Sequence, residues 1–194
     1  MQTALLSNHA ESRKITISDR GTLLTLNYAG LEQFHRGDSW FGCCVGFRAL
    51  QMAAEVFDSL GGWDRHNLYI VSAHPGPGVR DAIEYATGCV HLKRFRLLNE
   101  QSGQQGCSRS MQFIWWLSNG HRTVRVQLRD DFVPEAFYVL LDRLNTDKEQ
   151  PGDKQAFTHF KIELSNQLWD EALSSAFHFD VGRTPLSLGD IPDA

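Results

Sequence analysis

Residues 35–60 read HRGDSWFGCCVGFRALQMAAEVFDSL, and the regularity of the second part decides the fold. From Gly42 to Leu60, residues Cys43, Phe47, Leu50, Ala54 and Phe57 fall on one line of a 3.6-residue helix. Val45, Ala49, Met52, Ala53 and Val56 lie beside that line. Arg48, Gln51, Glu55 and Asp58 fall opposite, so the pattern predicts an amphipathic helix with one buried face. Gly61-Gly62 ends it, since glycine takes the left-handed conformation that closes a helix.

The neighbouring segments give this helix a context. Upstream, Ile15–Tyr28 alternates polar and apolar residues around Asp19-Arg20-Gly21, a hairpin signal. Downstream, Leu68–Ala73 (LYIVSA) is short, apolar and β-branched, as a buried strand is. The stretch His74–Gly78 (HPGPG) breaks the pattern, and Val79–Thr87 follows as a shorter helix. Its inward face is Val79, Ala82, Ile83 and Ala86, with Gly88 placed for a left-handed cap. Strands are expected at Phe95–Asn99, Met111–Leu117 and Thr123–Leu128, the last two joined through Ser118-Asn119-Gly120. Pro134 opens a third helix reaching about Asn145. Lys148–Lys154 (KEQPGDK) has the composition of a linker, Ala156–Phe177 that of one more helix, and the end, with Pro185 and Pro192, that of a tail. Helices and strands do not alternate regularly, so the expectation is an α+β domain with a mixed sheet over residues 1–147. Residues 148–194 are then an appended linker, helix and tail.

Composition bounds the function. The 194 residues suit one domain, and 42% hydrophobic with 11% aromatic residues supply a real core. A net charge of -4 and the lack of a basic stripe argue against nucleic acid and anionic membrane as partners. MQTALLSNHAESRK lacks the apolar core of a signal peptide and no run is long enough to span a bilayer, so a cytoplasmic protein is expected. Four cysteines, two of them adjacent and none in a CxxC pair, fit a reducing compartment rather than a disulfide scaffold or zinc ribbon.

Several side chains carry chemistry. Cys43 continues the apolar line of the long helix, whereas Cys44 heads the polar line through Arg48. A helix N-terminus and a nearby arginine both favour its thiolate. The plain alternative is that both cysteines only pack. His35 stands on the turn before this helix with Asp38, and His74 directly follows the buried strand. Gly76 and Gly78 allow close backbone approach, and Arg80 on the next helix can meet an anion; a turn that needs its glycines for geometry explains the same residues. Cys89 and His91 flank Val90, and on an extended strand both would share one face, where a zinc ion or another transition metal could bridge them. Cys107 sits in a small polar loop and reads as incidental. No Walker loop, GxSxG elbow, dinucleotide fingerprint or HExxH helix is present.

Two blocks carry a family resemblance. FHRGDSWFGCCVGFRALQMAAEVF is similar to the opening block of the formylmethanofuran dehydrogenase E-like family, with its Gly-aromatic-Arg-Ala element matched by Gly46-Phe47-Arg48-Ala49. GVRDAIEYATGCV resembles that family's second block at Asp81-Ala82-Ile83 and Gly88-Cys89. Over residues 30 to 145 the resemblance implies an α-β-α-β-β-β core, like that of the glyceraldehyde-phosphate dehydrogenase catalytic domain, and a zinc site in the His and Cys of these blocks. Aligned on Gly37-Asp38, this chain has Asp38 and Trp40 where the family carries ligands, and aligned on His35 it keeps the first histidine with one extra residue before Gly46. Gly78 falls at or near the second block's cysteine, and there is no cysteine-rich zinc module at its end. His35 and Cys89 carry over, and Cys44, His74 and His91 could complete a rearranged metal site. Arg48, Gly76, Gly78 and Arg80 are the candidate small-ligand contacts. The resemblance implies a metal- or small-ligand-binding protein, an accessory to one-carbon or redox metabolism, acting as a homodimer or within an enzyme complex. Two other readings stay open: a metal-independent thiol enzyme using Cys44 with His35 or His74 as base, and a non-catalytic interaction protein whose site has decayed.

Overall fold

The computed structural model describes residues 13–98 and 107–192. The expectations for the N-terminal segment before Arg13, for Asn99 as a strand end and for the first part of the Cys107 loop lie outside these residues. The chain is α+β, as the order of elements predicts. Strands β1 (Lys14–Asp19) and β2 (Thr22–Asn27) form the N-terminal hairpin, paired from Lys14↔Asn27 to Asp19↔Thr22. Its two-residue turn places Arg20 at φ 51° and Gly21 at φ 81°, the doubly left-handed geometry that matches strand twist. Helix α1 (Tyr28–Phe34) has no counterpart among the sequence expectations; Asn27 caps it by accepting from the Gly30 amide at 2.8 Å.

Helix α2 (Trp40–Ser59) is the long helix, and it is the axis of the molecule. The single buried face expected for it is corrected. Cys44, Arg48 and Gln51 on the polar line are all buried, and on that line only Glu55 and Asp58 stay exposed. A helix buried almost all round must be covered from several sides. Here the hairpin, helix α3 (Pro77–Thr87), the sheet and the C-terminal helix α5 (Asp153–Asp170) do so. The α2–α3 contact is close because it is made of small residues. A Cβ on Gly78 would stand 2.3 Å from the Ser39 carbonyl oxygen and 2.6 Å from the Cys43 nitrogen, and one on Gly46 would press on Ala82 and Val79. Gly78 is therefore a packing requirement of the helix crossing.

The main sheet has five strands in the order β4-β3-β5-β6-β7. These are β3 (Tyr69–Ser72), β4 (Phe95–Leu97), β5 (Ile114–Ser118), β6 (Thr123–Leu128) and β7 (Phe177–Gly182). Helix α3 makes the crossover between the parallel pair β3 and β4, and the remaining pairs are antiparallel. The run α2-β3-α3-β4-β5-β6 follows the expected order. Trp115, Leu117, Val124, Val126 and Leu128 face the helices and join the main core; Tyr69, Val71, Ala73 and Trp116 form a smaller cluster on the opposite face.

The segment after Lys148 is more than a linker and tail. Asp153, within the expected linker, is buried and accepts from Arg143 Nη2 at 2.6 Å, which ties the start of α5 to helix α4 (Glu135–Arg143). After α5, the short helix α6 (Leu173–Ala176) leads into β7, which pairs with β6 from Leu128↔Phe177 to Thr123↔Gly182. Residues beyond Gly182 cross the second sheet face: Leu186 packs there, Tyr69 donates its hydroxyl to Asp190 O at 3.1 Å, and Arg96 donates to Gly189 O at 2.7 Å. Among the described residues no helix is long and apolar enough to cross a membrane.

Candidate functional site

The α2–α3 crossing brings two helix N-termini side by side at the end of the sheet where β3 stops and β5 begins. Each follows a histidine-bearing turn. In the first turn, His35 is 5% exposed and both ring nitrogens are used. Nδ1 donates to Asp81 Oδ2 at 2.7 Å, and Nε2 accepts the Ser39 amide at 3.1 Å. The Trp40 indole meets the ring edge-on at 5.5 Å. His35 thus ties the entrance of α2 to α3 and has no nitrogen left for a metal.

The second turn is built differently. His74 is 4% exposed, packed on Phe113 with ring centroids 4.7 Å apart. Its Nδ1 accepts the Gly76 amide at 3.0 Å, and burial pushes the imidazole pKa down to about 4. A neutral ring whose Nδ1 accepts must carry its proton on Nε2. That Nε2–H has no partner among the described residues. His74 lines a cavity of about 350 Å³, at the small end of the roughly 300–1,000 Å³ range of ligand sites.

The rest of the cavity has an apolar wall and a polar end. Phe41, Met111, Phe113, Phe137, Leu141 and Phe157 supply the wall. The polar end holds His74, the first turns of α2 and α3, and Lys161. Neither helix is capped by a side chain, so their aligned peptide dipoles add positive potential there. Lys161, whose side chain is buried, donates to the backbone oxygen of Asp38 at 2.8 Å and to its carboxylate at 3.0 Å, and this holds the Asp38 carboxyl below its usual range. The Asp38 side chain itself is 87% exposed, on the rim. Across the mouth, the Cys107 sulfur lies 3.0 Å from where a Cβ on Gly76 would sit, and His74 Cε1 lies 2.5 Å from the same point. The residue as a whole is exposed; crowding of its sulfur raises the thiol pKa, and Lys161 opposes that rise. Cys107 therefore belongs to the cavity mouth rather than to an incidental loop.

The sequence-expected residues otherwise scatter. Cys44 has no exposed surface, its sulfur points at Ser165 O at 3.7 Å, and burial raises its pKa, so the accessible thiolate expected at the helix start is corrected. The cause is α5, which covers the line on which Cys44 sits. Cys43 packs in the core, as its place on the apolar line requires, with its pKa pushed up to about 12 by burial. Cys89 is buried against Leu68 O, and residues 89–93 turn instead of extending, so His91 faces solvent and pairs with Glu84. The expected shared face of Cys89 and His91 does not form. Arg48 is buried under α5: it donates to Gln51 Oε1 and Glu171 O and lies 5.2 Å over the Trp169 ring. Gly76 and Gly78 line the cavity, and Arg80 is exposed beyond it. Lys161, Phe137 and Phe157, absent from the sequence-based candidates, complete the site. They come from α4 and α5, and no local pattern links them to HPGPG.

Among the described residues no group of three His, Cys, Asp or Glu side chains could hold a metal ion. His35, Cys44, His74, Cys89 and His91 occupy separate environments, and His35, Cys44 and Cys89 already have protein partners for every atom a metal would use, so the five do not fit a resident zinc. The chain matches no protein-family model and no curated protein, and the likeness to the formylmethanofuran dehydrogenase E-like family rests on the two sequence blocks.

Proposed function

We propose that this protein binds a small molecule with an apolar body and an oxyanion head, a carboxylate in the simplest case, in the cavity between α2, α3, α4 and α5. The observation that carries this reading is the Nε2–H of His74, which stands at the cavity wall without a partner among the described residues. A ligand oxygen there would supply the acceptor that no described protein group provides, and a hydrogen bond made away from bulk water is stronger than one in it. The neutral ring suits this role because it donates without bringing a charge that must itself be desolvated. The helix N-termini and Lys161 add attraction for negative charge, and the aromatic wall excludes water from the rest of the ligand. The same tautomer weakens the thiol-enzyme reading, because a protonated Nε2 and an occupied Nδ1 leave no lone pair to deprotonate a thiol.

A panel of aryl- and alkyl-carboxylates, with the matching primary amides, tests the proposal by thermal shift and calorimetry. Carboxylates are expected to raise the melting temperature and to bind more tightly than their amides. His74→Asn keeps an oxygen for the Gly76 amide, as an Asx-turn does, and withdraws the distal donor. Its affinity is expected to fall about tenfold or more. No binding by any carboxylate, or equal binding by the variant, would overturn the reading.

A further inference from the structure

Among the described residues the outer edge of β7 is unpaired, and its side chains are unusual for an edge. Phe179 is 47% exposed and Val181 39%, on the helix-side face where their β6 partners Val126 and Val124 are fully buried. Exposed apolar edge strands template pairing with another chain. The backbone phase of β7 follows from one bond just beyond the ladder: Arg129 N donates to Ala176 O at 3.0 Å. Hydrogen-bonded pairs alternate along an antiparallel ladder, so His178 and Asp180 point their backbone groups at β6. Phe177, Phe179 and Val181 point theirs outward. The Phe177 amide is already donated to Leu173 O, which leaves the Phe177 carbonyl and both groups of Phe179 and Val181 open among the described residues.

We propose that two copies of this chain pair antiparallel along β7, with the two-fold axis at Phe179, joining two five-stranded sheets into one of ten. Outward groups can bond only to outward groups, so the axis must pass through a residue and not between two. An axis at Asp180 would set that carboxylate against its own copy, and like charges directly opposite destabilise a ladder. An axis at Phe179 instead stacks Phe179 on its copy, sets Phe177 opposite Val181, and places His178 opposite Asp180 on the other face, twice. The match of imidazole to carboxylate, in place of carboxylate to carboxylate, selects this register. Four main-chain bonds form: two between the Phe179 residues and one from each Val181 amide to the opposing Phe177 carbonyl. The two apolar side chains that the single chain exposes become covered by the second copy.

Sedimentation velocity over micromolar to sub-millimolar concentration tests this on the full chain. The wild type is expected to shift from monomer to dimer, and Phe179→Lys, which places like charges across the axis, to weaken association by about tenfold or more. Leu23→Lys, 73% exposed on the separate hairpin, is expected to leave association unchanged. In a Cys107→Ser background, Phe179→Cys is expected to cross-link to itself under mild oxidation and Asp180→Cys is not, because a hydrogen-bonded pair sets Cα atoms about 5.5 Å apart, within disulfide reach. A wild type that stays monomeric throughout, a Phe179→Lys variant that still dimerises as the wild type does, or cross-linking through Asp180→Cys in place of Phe179→Cys would overturn the proposal. None of these results depends on what the cavity binds.

Discussion

The turns His35–Ser39 and His74–Gly78 sit side by side, each a buried histidine leading into a helix, and they have opposite chemical fates. His35 spends both nitrogens on the protein, one on Asp81 and one on the Ser39 amide. His74 spends one, on Gly76, and its second nitrogen stands at a cavity. The difference arises from what lies across each ring. Asp81 projects from α3 towards His35, whereas opposite His74 the described residues form an aromatic wall that offers no acceptor. Burial of a histidine therefore says little about function; a count of its satisfied nitrogens separates the structural residue from the binding one.

The largest expected consequence falls on His74. In the unfolded chain its pKa returns to about 6.5, and in the fold burial holds it near 4. Above pH 6.5 both states are neutral and the residue adds no pH dependence. Between pH 6.5 and 4 the unfolded state takes up a proton that the native state refuses, so stability falls with falling pH, by about 3 kcal/mol across that window. Denaturant melts from pH 7.5 to 4 check this. His74→Asn is expected to flatten the slope, and an unchanged slope in that variant would place the sensitivity elsewhere. A carboxylate ligand that accepts from Nε2–H is expected to stay bound through this window wherever the protein is folded, because the native ring keeps the same tautomer.

For His35 the expected cost is one of stability alone. His35→Ala removes the acceptor for the Ser39 amide and the edge contact with Trp40, about 2 kcal/mol together. His35→Gln is expected to recover part of the loss, since its amide oxygen can reach the same N–H. Carboxylate affinity, measured where each variant is fully folded, is expected to stay at the wild-type value. A drop in affinity as large as that of His74→Asn would erase the distinction between the two turns.

What is legible in the sequence is local. The 3.6-residue pattern of α2, the β-branched run of β3, the Asn119-Gly120 turn and the left-handed Gly88 all carry their signal within a few residues, and each element forms near its expected place. The failures share one cause. Cys44 reads as exposed because the window over α2 contains nothing of α5, which lies more than a hundred residues on and closes over it. The strand FHFDVG reads as part of a helix and tail because two of its apolar side chains stay exposed, so its alternation lacks a buried face to report. The cavity shows both sides of this. His74, Gly76 and Gly78 belong to a turn whose composition marks it, whereas Lys161 and Phe157 belong to a helix whose weak periodicity gives them no distinction.

The four thiols sharpen the comparison at the least cost in stability. Cys43 and Cys44 lie at the α2 start behind the closed turn and Cys89 lies beneath the end of α3, all fully buried, whereas Cys107 stands at the mouth of the open one. Alkylation depends on both thiolate fraction and access. Burial raises all four pKa values, so none is expected to react fast at neutral pH, and access then decides the order. Iodoacetamide on the native protein at pH 8 is expected to label Cys107 alone by peptide mass mapping, with the other three following only in denaturant. A bound carboxylate should slow that labelling by covering the sulfur beside His74, with no effect on the denatured rate. Labelling of Cys44 in the native protein would mean that α5 opens readily from α2. The closed turn would then be closed only by a helix that comes and goes, and the contrast with the open turn would be one of dynamics instead of architecture.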